Sequence, residues 1–65
     1  MDLVEILSSA IEDECAAQRK YEEGLAKAEE PQTKMVFRQL LEDEKRHETI
    51  LRERLNAMKQ IQGET

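Results

Sequence analysis

Apolar side chains recur along this chain at spacings of three and four residues, in two stretches that are both apolar at their ends and polar in their middle. The first runs Leu3, Leu7, Ala10 and Ile11, Glu14, Ala17 and Gln18, Tyr21, Gly24 and Leu25, Ala28. The second runs Phe37, Leu40 and Leu41, Glu44, His47 and Glu48, Leu51, Leu55, Met58, Ile61. Such spacing puts side chains on one face of an α-helix, so the pattern predicts two long helices with heptad-like seams. Between them lies Glu29-Glu30-Pro31-Gln32, with the only proline of the chain. Proline suits the first turn of a helix and disrupts later ones, which places a turn here. The first helix is expected over about residues 2–29 with Asp2 as its N-cap, and the second over about 31–60, with Gly63 just past its end. Gly24 falls inside the first helix, at a cost of about 1 kcal/mol against alanine. Either it permits a close approach of the second helix or it has no role in packing.

Composition narrows the choices. The 65 residues form a single domain, 1–65, of a size that seldom holds a stable core without a staple. Cys15 is the only cysteine, so no disulfide forms within the chain, which leaves a metal or self-association. Charged residues make up 38% and aromatic ones 3%, a balance that favours helices over sheet. The net charge of −5 suits neither nucleic acid nor an anionic membrane as partner, but it attracts cations. No apolar run approaches the roughly 18 residues of a membrane span. The stretch MDLVEIL lacks the basic start of a signal peptide, so the expected location is cytoplasmic.

The polar middles raise the chemical question. Residues 42–48 read EDEKRHE and contain the only histidine, three residues after Glu44 on the seam of the second helix. In a hairpin turning at residues 30 and 31, Glu14, Glu44 and His47 all lie roughly 20–24 Å from the turn at about 1.5 Å per residue. They share one level, with Leu7 and Leu55 farther from the turn and Tyr21 and Leu41 nearer to it. Unpaired carboxylates are unfavourable on a buried face, and a cation shared by all three side chains would compensate them. Three donors are too few to close an iron or manganese site. Two hairpins joined in an antiparallel four-helix bundle supply six, a glutamate from each of two helices and Glu-x-x-His from each of the others. Four carboxylates and two imidazoles suit iron, with manganese as the other candidate, better than structural zinc.

The segments around AIEDECAAQRKY and LLEDEKRHETIL, with Glu14, Tyr21 and Glu44-Lys45-Arg46-His47, resemble the rubrerythrins and other ferritin-like proteins over about residues 6–58. Most such proteins carry the motif twice in one chain. Its single occurrence here is similar to the encapsulated ferritins, whose two-helix subunits build a di-iron site between chains. The resemblance implies an all-α antiparallel hairpin that dimerises into a ferritin-like bundle. It also implies iron bound and oxidised at Glu14, Glu44 and His47, and dimers that assemble into rings. A shell protein would enclose them in a nanocompartment if a docking tail exists; the chain ends at Gln62-Gly63-Glu64-Thr65 without one. The expected activity is that of a ferroxidase. A rubrerythrin-like peroxidase, a metal that only staples the dimer, and a non-catalytic hairpin that binds partner helices are the alternatives. Tyr21 is read either as core filler or as a donor that orients a ligand carboxylate, and Glu48 as an ion-paired neighbour or an additional ligand. Cys15 lies off the seam and is read as a small packing residue or an exposed thiol, not a ligand, and Met35 and Met58 are expected to serve packing.

Overall fold

The computed structural model describes residues 1–63, and among them it contains two α-helices and no strand. Helix α1 spans Leu3–Lys27 and α2 spans Pro31–Gly63. They pack side by side as an antiparallel hairpin. Asp2 caps α1, its Oδ1 accepting the Glu5 N–H at 2.8 Å, which satisfies a donor that the helix leaves unpaired. The helix ends two residues before the expected position. Ala28 is already extended, with φ −67° and ψ 137°, while its N–H still donates to the Gly24 carbonyl. Pro31 then opens α2, and the Glu30 carbonyl accepts the Lys34 N–H at 3.0 Å. Helix α2 continues through Gly63, three residues beyond the expected end. No described glycine has a positive φ. Gly63 is therefore a weak helical residue in the last turn, not the left-handed cap that would stop the helix.

Gly24 explains itself in the packing. A Cβ built there would lie 2.6 Å from Cε1 and Cζ of Phe37, so any side chain at this position would force that ring to shift. The Phe37 ring also packs on Tyr21, with centroids 6.3 Å apart and a tilt of 37°. This aromatic pair closes the turn end of the hairpin.

The hairpin is a thin slab, 53 × 18 × 12 Å, with a radius of gyration of 15.2 Å. A closed 65-residue fold would have a radius of about 11 Å. The accessible surface is 5120 Å²; a compact protein of 7.6 kDa would expose about 4300 Å². Among the described residues only Ile11 and Leu55 are buried hydrophobics, and no side chain of these residues is fully enclosed. Much of the remaining apolar surface lies on one side. Leu3 precedes Glu14 by close to three whole turns of α1, and Ile6 lies about 80° round that helix from Glu14. Val36, Ile50 and Ile61 lie within about 60° of His47 round α2. All five are 45–62% exposed. No helix of the described chain is long and apolar enough to cross a membrane.

Candidate metal centre

Three side chains converge half-way along the slab. Glu14 comes from α1, and Glu44 and His47 from successive turns of α2. One donor atom from each lies within 4.8 Å of the others. His47 Nδ1 stands 3.7 Å from Glu14 Oε2 and 3.7 Å from Glu44 Oε2. Both separations are too long for hydrogen bonds. They fall in the range of roughly 3 to 4.2 Å that separates two donors each about 2.1 Å from a common cation.

The electrostatics point the same way. The side chains of Glu14 and Glu44 are only 21% and 18% exposed, whereas that of His47 is 49% exposed. Glu14 Oε2 is buried and has no hydrogen-bond partner among the described residues. Neither carboxylate has a lysine or arginine partner there, and His47 offers a charge only when protonated. Leaving a buried acceptor unsatisfied costs about 1–3 kcal/mol, more for a charged group. A divalent cation removes that penalty, and two carboxylates with one imidazole form a donor set suited to iron or manganese. The residues present thus fit a metal.

Exposed His47 lies on the same side of the hairpin as the apolar row of Val36, Ile50 and Ile61. The side chain of α2 that completes the group therefore points out of the hairpin, toward the surface that the monomer leaves uncovered.

The residues flanking the group are placed as follows. Tyr21 stacks on Phe37, and its hydroxyl makes no hydrogen bond within the described chain. Glu48 is engaged elsewhere: Gln18 Nε2 donates to its Oε1 at 2.7 Å, and Arg52 Nε donates to its Oε2 at 2.7 Å. The Gln18 bond first, then the Arg52 bond and charge, hold the Glu48 carboxyl below its ordinary range. Arg52 is in turn held above its own range, chiefly by Glu48. Cys15 takes the packing role of its two readings and stands outside the convergent group. It is half-buried and faces α2, with Sγ 3.9 Å from Arg52 Nη2. Gln18 and Arg52 carry no metal-ligand chemistry, so ligand spacing alone does not single them out. The available signal is the one-turn offset of Gln18 from Glu14 and of Arg52 from Glu48.

No curated protein and no solved structure matches the chain. A family model does: the one described as Rubrerythrin matches residues 5–64. With nearly the whole length matched, and a Glu, Glu and His group across a helical hairpin, the chain belongs to the rubrerythrin family, a ferritin-like group.

Proposed function

We propose that this protein is a ferritin-like ferroxidase whose di-iron site forms between two copies of the chain. The observation that carries the reading is the orphaned, buried Glu14 Oε2, which faces Glu44 and His47 where an apolar surface lies uncovered. Two hairpins joined through that surface bring six donors together, two Glu14, two Glu44 and two His47. This is the ligand set of ferritin-like bundles.

In this reading Fe(II) is the substrate, and each ion gives up one electron to dioxygen or peroxide. Glu14 and Glu44 bind the cations and balance the charge that builds on oxidation. His47 fixes one coordination position through Nδ1. The apolar rows on either side exclude bulk water, which strengthens each carboxylate–cation interaction. Assembly of such dimers into rings, or their enclosure by a shell protein, rests on the likeness to the encapsulated ferritins and is not needed for the site.

The test is an anaerobic Fe(II) titration followed by air. The expected result is uptake of one Fe(II) per chain, then ferric absorbance on exposure to oxygen. The same loading should raise the melting temperature by roughly 10–20 °C when free metal is about a hundred times Kd, because a ligand at that level stabilises by about 2.7 kcal/mol. Uptake without oxidation would make the metal a staple only, and no uptake would leave a helical interaction module.

A further inference from the structure

The side of the hairpin opposite His47 holds a second polar group, Cys15, Gln18, Glu48 and Arg52, that the proposed chemistry leaves unused. Glu48 is its unusual member. It follows His47 directly and lies one helical turn beyond Glu44. Side chains so placed have Cβ atoms about 5–6 Å apart, within reach of a common ion. Glu48 nevertheless stands outside the convergent group, which consists of Glu14, Glu44 and His47. Each of its oxygens is occupied at 2.7 Å, one by an amide from α1 and the other by a guanidinium from the next turn of α2. Gln18 Nε2 also lies 3.5 Å from the Glu44 carbonyl oxygen, which fixes the amide between the two glutamates.

We propose that Gln18 and Arg52 are positioning residues that withhold Glu48 from the metal, so that each chain offers two carboxylates and one imidazole and the bound cations keep positions open for an oxidant. The inference rests on the metal-site reading. Six donors for two cations leave room for a third molecule, whereas two additional glutamates would fill it. With its two oxygens held by Gln18 and Arg52, the carboxylate is kept outside the group of Glu14, Glu44 and His47, and an ion there could recruit it only by displacing a charge-assisted bond.

The test uses Co(II) and the full chain. It compares wild type, Arg52→Leu, Arg52→Lys, Glu48→Gln, and the double variant Arg52→Leu with Glu48→Gln, by calorimetry and by the visible d–d bands, whose intensity falls as coordination number rises. Arg52→Leu should tighten Co(II) binding about tenfold, the lower end of what outer partners of metal ligands control, and weaken the bands. Arg52→Lys should return both toward wild type, and the double variant should lose the gain. Glu48→Gln alone should bind Co(II) as wild type does, and this arm stands even where Arg52→Leu fails to fold. An Arg52→Leu protein that keeps its helicity with unchanged or weaker binding and unchanged bands would overturn the proposal, as would a clear loss of affinity in Glu48→Gln. If wild type takes up no Co(II), the metal-site reading fails. Uptake by Arg52→Leu would then still support withholding, and no uptake by either would overturn both.

Discussion

Glu14→Gln is expected to weaken Fe(II) binding by more than about a hundredfold while making the metal-free protein more stable by about 1 kcal/mol. The two effects have one cause. Glu14 Oε2 is buried without a partner, so in the absence of metal its charge opposes folding. The neutral amide has the same shape and carries no charge to desolvate. For a domain of this size, that gain corresponds to a rise in melting temperature of about 4–8 °C. With metal the balance reverses. Each chain loses one of three donors, and each paired site loses two of six. Loss of an outer partner already weakens metal binding by about 10- to 100-fold, so loss of a direct ligand exceeds that. Calorimetric titration and a thermal melt of the metal-free protein check the two halves separately. A variant that binds iron as wild type does, or that melts lower without metal, would contradict the assigned role of Glu14.

Replacing both Leu3 and Val36 by lysine should separate the proposed dimer into monomers with much less helix. In the isolated hairpin these side chains are 62% and 55% exposed, and exposed positions tolerate substitution within about 0.5 kcal/mol. The double variant would then be nearly silent. In the paired molecule each lysine would enter an apolar contact without a counter-charge, which is strongly unfavourable. The hairpin exposes 5120 Å², roughly 800 Å² more than a compact chain of its mass. About 800 Å² is also what one partner contributes to a standard protein interface. With Ile11 and Leu55 as the only buried hydrophobics among the described residues, the hairpin has little to hold it together alone, so separation should also unfold it. Sedimentation equilibrium and far-ultraviolet circular dichroism measure both effects. A monomeric wild type, or a double variant that stays dimeric and helical, would contradict the pairing.

Much of the fold is legible in the residue order because it is local. The spacing of three and four residues marks both helices, Asp2 marks the start of α1, and Pro31 marks the start of α2. Glu14, Glu44 and His47 sit at equal heights above the turn, a matter of counting once the turn is placed, and they are the three side chains that converge. What the sequence conceals depends on rotation and rotamer. The approach of Phe37 to Gly24 follows from how the helices cross, not from either helix alone. The choice between a packed and an exposed Cys15 has the same origin: a seam read from one helix does not show how far that helix rotates against its partner. The hold of Gln18 and Arg52 on Glu48 joins residues 30 positions apart through Gln18, and 4 apart through Arg52. Periodicity marks both Gln18 and Glu48 as seam residues without saying which bond each makes. The end of α2 lies beyond the expected position for a different reason. Glycine lowers helix propensity but ends a helix only when its backbone turns left-handed, and here no described glycine does so.

The most direct test of the central claim is an anomalous-difference map at the iron edge from crystals grown with Fe(II). The account predicts two peaks per pair of chains, about 3.5–4 Å apart as in two-metal sites, each within bonding distance of Glu14, Glu44 and His47. Peaks at other residues, or chains packed with His47 facing solvent and no iron beside Glu14, would contradict it.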